Sequence, residues 1–457
     1  VNQHSPLSGP TVADRLAAFA ESAVPPPAAD AVSRRLLLDI VGLAYSARHE
    51  PYTRAALASA AGTGPCTAIG HAQGYSLYDA ALINGTAAHG EDYDDTFEGG
   101  PVHAGAVLVP ATLAIAQHRK LNGAAVMRAL GIGAELMSRL SLVTPQAIHK
   151  AGFHPTGVIG ALAAAAAVSV AIGLDRARTA HALGTAGSLA SGIIEYLSDG
   201  SWTKRLHPGA AAQAGLRAAL LAEAGFKGPG TVFEGDHGFF RAFAPSKTAN
   251  FAPLLDGLGE NWIMPTIAFK PYACGTMTQP FIDCAIALAR QGVAADDIVS
   301  LVCKVGEGTV HRLWEPLAAK QAVPNGYAAK FSTPYCMAVG FLDGAAGLRQ
   351  FGNDQTERAD VRALAARISY EIDPKDEYPS NFTGHLRATL KDGSVREIRQ
   401  PHMRGGAREP LSDAELVAKF TANVIFGGGD AATAEALRTA IDRIAAGAAT
   451  VTLGAGA

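Results

Sequence analysis

Residues 157–174 read Gly157-Val-Ile-Gly-Ala-Leu-Ala-Ala-Ala-Ala-Ala-Val-Ser-Val-Ala-Ile-Gly-Leu174. No charged side chain interrupts the run, and its length approaches the roughly 20 apolar residues that a membrane span needs. Most of its residues are Ala, Val and Gly, and Ala and Gly gain little on leaving water. The chain offers no second candidate span. The stretch therefore reads as a helix buried inside a protein core. That reading decides the fold class, because small side chains let helices approach one another closely.

The flanking sequence agrees. Helical patterns cover about 30–46, 76–89, 105–118, 124–143, 156–173, 177–197 and 209–224. Thr11-Val-Ala-Asp14 opens an earlier helix with a capping-box-like start. Near 265 the character changes. Ile298–Val305, Ala366–Ile372 and His385–Leu390 alternate with period two. Lys-Asp-Gly-Ser then joins the last of these to Val395–Ile398 as a hairpin. Helical patterns at 278–291 and 330–349 lie between the strands. Helix returns at the capping box Ser412-Asp-Ala-Glu415. The expected architecture is mostly α with an α+β second domain. A large all-α helical domain spans 1–265 and is completed by the segment 405–457, which packs back on it. A smaller α+β domain is inserted at 266–404. The Gly/Ala-rich tail after 445 is expected to fray.

Composition narrows the function classes. The 457 residues are 48% hydrophobic and 17% charged, with a net charge of −3, which fits a large core and argues against nucleic acid or an anionic membrane as a bulk partner. The five cysteines, Cys66, Cys274, Cys284, Cys303 and Cys336, are odd in number and form no CxxC. A disulfide framework or zinc ribbon is thus not expected, and a reducing, cytoplasmic compartment is. The opening Val-Asn-Gln-His-Ser-Pro lacks the pattern of a secretory signal. Neither a dinucleotide fingerprint nor a G-x-S-x-G elbow occurs.

The chemistry concentrates in a few segments rich in His, Lys, Gly and Pro. His89-Gly-Glu-Asp-Tyr-Asp-Asp-Thr96 leads to His103, placing acids between two histidines. Gly152-Phe-His-Pro-Thr156, Thr203-Lys-Arg-Leu-His-Pro-Gly209, Phe269-Lys-Pro-Tyr272 and Gly326–Tyr335 follow. Together with Arg404-Gly-Gly-Ala-Arg-Glu-Pro-Leu411, these motifs resemble the 2-methylcitrate dehydratase family, also called MmgE/PrpD. Cis-aconitate decarboxylase and iminodisuccinate epimerase are similar to that family. The resemblance implies a homodimer, an active site between a helical domain and a lid domain, and cofactor-independent lyase or isomerase chemistry on small di- or tricarboxylates. It implies neither a metal nor an organic cofactor.

The residue types suit that chemistry. Proton removal beside a carboxylate needs a base that titrates near neutrality, and His103 and His154 are the candidates. Lys204 and Lys270 supply cations for developing negative charge. Asp92 and Asp95 orient and balance these basic groups. Thr96, Arg205, Gln279, Tyr327, Lys330 and Tyr335 are expected to bind substrate. His89 reads as a helix cap, His207 as a loop anchor, and Glu91 and Glu98 as solvated.

The pattern departs from the family at two places. Position 279, nine residues after Lys270, is glutamine where many members have histidine, and glutamine hydrogen-bonds but does not transfer protons. Position 275 is glycine where some decarboxylases have histidine. These departures weaken a direct decarboxylase reading. Dehydration of a 2-methylcitrate-like acid is placed first as the family's namesake activity, with cis-aconitate decarboxylase-like or iminodisuccinate epimerase-like activity as alternatives. Two rival readings stand beside it. One is a divalent metal held by His89, Asp92, Asp94 and Asp95. The other is a non-catalytic polycarboxylate-binding protein.

Overall fold

A computed structural model describes residues 9–453. The opening Val1–Pro6, read above for targeting signals, lies outside them. The chain divides into two compact units. The first runs to Gly90, resumes over Asp94–Ile267 and takes in Leu416 onward; the second comprises Glu91–Tyr93 and Ala268–Glu415.

The first unit is helical. Its main elements are α1 (Val12–Ser22), α2 (Pro27–Ser46), α3 (Leu77–His89), α4 (Ala104–Arg119), α5 (Gly123–Ser141), α6 (Pro155–Ala171), α7 (Arg176–Leu189) and α8 (Thr203–Glu223). Every residue of α6 is buried, as the Ala-rich run requires. Small residues set the helix spacing. A Cβ added at Gly215 of α8 would stand 2.3 Å from the Ala164 side chain of α6, and one at Gly133 of α5 would meet Ala167 at 2.9 Å. Such close approach gains dispersion over many atom pairs rather than from any one large side chain. Among the described residues no helix is long and apolar enough to cross a membrane.

The second unit carries a four-stranded sheet of β1 (Ile298–Val305), β2 (Ile368–Ile372), β3 (Gly384–Leu390) and β4 (Val395–Gln400), in the order β2-β1-β3-β4. β1 and β2 are parallel, and the other two pairs are antiparallel. A bulge between Ile298 and Ser300 interrupts the expected alternation. The hairpin lies where Lys-Asp-Gly-Ser predicts it, with Gly393 at φ +80°. Helices α9 (Gln279–Arg290) and α10 (Thr333–Asp343) pack together, and Gly340 brings α10 onto Ile282. Two last helices, α11 (Asp413–Phe426) and α12 (Ala431–Ala445), follow the capping box Ser412–Glu415. From Leu416 they count with the first unit, where Lys419 Nζ lies 2.7 Å from Asp39 Oδ1.

Three expectations change. The helix expected over 177–197 stops at Leu189, because Gly192 sits at φ +128° and turns the chain. The helix expected over 330–349 is shorter, ending at Gly344 in the left-handed conformation. The tail after 445 does not simply fray: the Ala448 carbonyl accepts from Gly123 N, and Val451 and Leu453 are buried.

Candidate active site

Two glycines decide where the histidines of the first unit meet. A Cβ on Gly85 of α3 would stand 2.5 Å from the Gly209 Cα of α8, so both positions must lack a side chain. His89 lies one helical turn beyond Gly85, and His207 lies two residues before Gly209. The close crossing therefore carries both imidazoles to one place. His103 is the N-cap residue of α4, and His154 is the N-cap residue of α6, directly before Pro155. The backbone N–H of His154 donates to the Gly192 carbonyl at 2.8 Å. The turn that ends α7 early thus fixes the start of α6.

The result is a cluster of four buried imidazoles. Ring centroids lie 4.8 Å apart for His89–His103, 5.6 Å for His89–His154 and 5.3 Å for His154–His207. Tyr196 closes one side, 6.3 Å from His154 and 5.9 Å from His207. Each ring is anchored through Nδ1. His89 Nδ1 is 2.7 Å from Asp94 Oδ2, His103 Nδ1 is 2.6 Å from the Asp95 carbonyl, and His154 Nδ1 is 3.1 Å from His207 Nδ1. A carbonyl only accepts, so His103 carries its proton on Nδ1 and keeps its Nε2 lone pair when neutral. Asp94 Oδ2 also lies 3.5 Å from His103 Nδ1.

Burial dominates the electrostatics. It pushes His154 well below the usual histidine range, helped by neighbouring His89, Lys204, His207 and His103. His207 is lowered to about 4, again chiefly by burial, then by His89 and Lys204. Both rings are therefore neutral near pH 7. Lys204, half-buried on the first turn of α8, is the cation that acts on both.

The acidic stretch divides its work. Asp95 accepts from the backbone N–H groups of Ala104 and Gly105 at 3.0 and 2.9 Å, so its carboxylate tethers the start of α4. Burial, with Asp94 and Asp39 nearby, holds its carboxyl well above the usual range. Its backbone carbonyl, not its carboxylate, orients His103. Thr96 is buried on the short strand Thr96–Phe97. Arg205 donates through Nε to the Gly90 carbonyl at 2.9 Å and lies over the Tyr52 ring, so it seals the end of α3.

The other expected residues belong to the second unit. Asp92 adopts φ +54°, and its carbonyl accepts from Lys270 Nζ at 2.8 Å, with the carboxylate at 3.5 Å. Lys330 Nζ reaches Glu91 Oε2 at 2.9 Å and the carbonyls of Glu91 and Ala273. Glu91 is thus an ion-pair partner and not a solvated acid. Gln279 is fully buried, and its amide donates to the carbonyls of Tyr272 and Cys274. Its Oε1 has no hydrogen-bond partner among the described residues. Tyr335 donates to the Gln350 carbonyl at 2.7 Å, and burial raises its phenol. Tyr327 packs its ring against Phe331.

Sequence reasoning missed His89, Asp94, His207 and Tyr196 as members of the cluster. The signal for the first two is their spacing of five across the helix end, which returns the carboxylate to the ring. The set His89, Asp92, Asp94 and Asp95 is not a carboxylate cage. Asp95 is spent on backbone amides, and Asp92 is held by Lys270 in the other unit.

Comparison with known proteins gives matches over most of the chain. Residues 12–252 match the MmgE/PrpD N-terminal domain, and residues 272–443 match the MmgE/PrpD C-terminal domain. A cis-aconitate decarboxylase of Mus musculus is 32% identical over 354 residues, 75% of this chain and 71% of the relative. The Homo sapiens cis-aconitate decarboxylase is 30% identical over 360 residues, 75% of this chain and 72% of the relative. One from Aspergillus terreus is 25% identical over 417 residues, covering 85% and 83%.

Proposed function

We propose that this chain, which belongs to the MmgE/PrpD family, is a lyase that acts on a small di- or tricarboxylic acid by proton transfer at a carbon next to a carboxylate. One observation carries the proposal. Two buried imidazoles that burial holds neutral, His154 and His207, stand beside Lys204, and His103 of the same cluster is oriented by a backbone carbonyl. A carbanion formed next to a carboxylate needs a base or acid at the carbon and a cation for the oxygens. His103 Nε2 is assigned the proton transfer, His154 the return of a proton or its relay with His207, and Lys204 the carboxylate. Lys270 and Lys330 are assigned to carboxylate binding on the motif resemblance.

Two reaction outcomes have equal support. The relatives are named cis-aconitate decarboxylases, which favours loss of carbon dioxide. Gly275 stands where some decarboxylases have histidine, and Gln279 where many family members do, which leaves loss of water from a 2-methylcitrate-like acid as open as decarboxylation. In both, the base strength of a neutral imidazole matches the task. The test is a panel of cis-aconitate, citrate, 2-methylcitrate and iminodisuccinate, followed by proton NMR in deuterated water. Turnover of one acid with solvent deuterium entering the product is expected, falling about 10²–10⁴-fold in His103→Ala. A chain that neither converts nor exchanges any of the four overturns the lyase reading and restores the binding-protein one.

A further inference from the structure

The cluster has a second chemical capacity. Ring nitrogens of His89, His103 and His154 all lie within 4.8 Å of one another, and all three side chains are buried. We propose that this trio binds one divalent transition-metal ion of the zinc class, and that binding shuts down the proton chemistry of the site.

The arrangement of the outer contacts argues for it. Metal-binding histidines place their second ring nitrogen on a carboxylate, a carbonyl or another polar group, which fixes ring orientation and leaves the first nitrogen as donor. Here His89 is held by Asp94, His103 by the Asp95 carbonyl, and His154 by His207, each through Nδ1. The opposite nitrogen of His89, Nε2, is buried and has no hydrogen-bond partner among the described residues. A buried ring nitrogen gains from a partner, and an ion accepted there supplies one. Tetrahedral zinc takes imidazole at about 2.0–2.1 Å, which spaces its ligand atoms by roughly 3.4 Å. Closing from at most 4.8 Å takes about an ångström of ring movement or less, within reach of small side-chain rotations.

Ligand type sets the ion. Three imidazoles suit zinc, cobalt, nickel or copper, whereas magnesium and calcium want oxygen. The charges around the trio are mixed. Asp94 favours a cation, and Lys204 opposes one. The ion occupies the lone pairs that proton transfer uses, so bound metal inhibits. Only this inhibitory consequence rests on the lyase reading; the binding does not.

The experiment uses the full chain, chelator-treated and dialysed, titrated with Zn²⁺ by calorimetry and with Co²⁺ by visible absorption. One ion per chain is expected, with the visible bands of four-coordinate cobalt and no response to Mg²⁺. Asp94→Asn should weaken Zn²⁺ binding about 10–100-fold, His89→Ala should weaken it further, and the exposed His237→Ala should leave it unchanged. Absence of saturable Zn²⁺ binding, or binding that persists unweakened in both His89→Ala and His103→Gln, overturns the site. Should His89→Ala fail to fold, Asp94→Asn and His103→Gln decide. Stoichiometric Zn²⁺ with undiminished turnover overturns the inhibition, and Zn²⁺ binding in a chain that converts no acid counts against the lyase reading alone.

Discussion

His89 Nδ1 stands 2.7 Å from Asp94 Oδ2, with neither side chain exposed to solvent. The contact fixes the His89 ring at the end of α3, and the same carboxylate oxygen lies 3.5 Å from His103 Nδ1. One acid therefore orients His89 and lies beside His103, a role expected from the sequence of Asp92 and Asp95 instead. Replacing Asp94 by Asn keeps the shape and removes the charge. We expect a loss of about 1–3 kcal/mol in denaturant unfolding, since a buried group loses its charged partner. Turnover should fall more than in Glu98→Gln. Equal turnover in the two variants would remove Asp94 from the site.

Acid should destabilise the protein through His207. Its folded-state value is about 4 against an ordinary 6.5. Between those values the unfolded chain binds a proton that the folded chain refuses, so stability falls as pH drops through this window. At about 1.4 kcal/mol per unit, the loss is about 3 kcal/mol at most. His154 acts in the same direction. Asp95, raised by burial, has the opposite sign, because it favours the folded state at low pH. Subtracting the unfolding curves of His207→Gln from wild type, both in chelator-containing buffer, cancels Asp95 and isolates the slope. A difference that does not vary from pH 7 to pH 4 would contradict this account.

The crossing of α3 and α8 admits no side chain at Gly85 or Gly209. Gly85→Ala forces backbone to move and should cost about 1–3 kcal/mol. It should also lower turnover, because His89 and His207 ride on the displaced helices. Gly152→Ala is no fair control, since φ is positive there. Gly62→Ala is suitable, as nothing lies within 4 Å of the added Cβ. Circular dichroism melting of the two variants checks the contrast.

Asp92 holds φ +54°, a conformation that Asp and Asn tolerate and β-branched residues resist. Asp92→Gly and Asp92→Asn should fold. Asp92→Val should lose about 1–2 kcal/mol beyond Asp92→Asn, the cost of the left-handed backbone with a Cβ in the way. Chemical unfolding of the three variants measures that gap; equal midpoints for Asn and Val would show that the backbone conformation is not retained.

Much of this organisation is legible in residue order. The Ala-rich run 157–174 reads as buried helix because helix propensity and small volume act locally, and α6 follows it closely. The capping boxes, the Asp-Gly hairpin and the alternating strands are likewise local signals. The end of α7 is not legible, because Gly192 leaves the helix to meet His154 and His207, which are distant in sequence. His89 and His207 read as structural because each, taken alone, has a satisfactory local explanation. Asp95 reads as a counter-charge to cations, yet its carboxylate holds the amides of α4, a partnership set by the path of the loop.

Residue order alone establishes helices of small side chains, an α+β second unit and motif segments rich in histidine and lysine, since propensity, periodicity and turn chemistry act over a few neighbours. It does not establish which imidazoles touch. That depends on two glycines 124 positions apart letting α3 and α8 cross at backbone contact, and on a carboxylate five residues from His89 turning back to it. Burial then removes the charge from His154 and His207, and burial is a property of the packed core rather than of any stretch of chain.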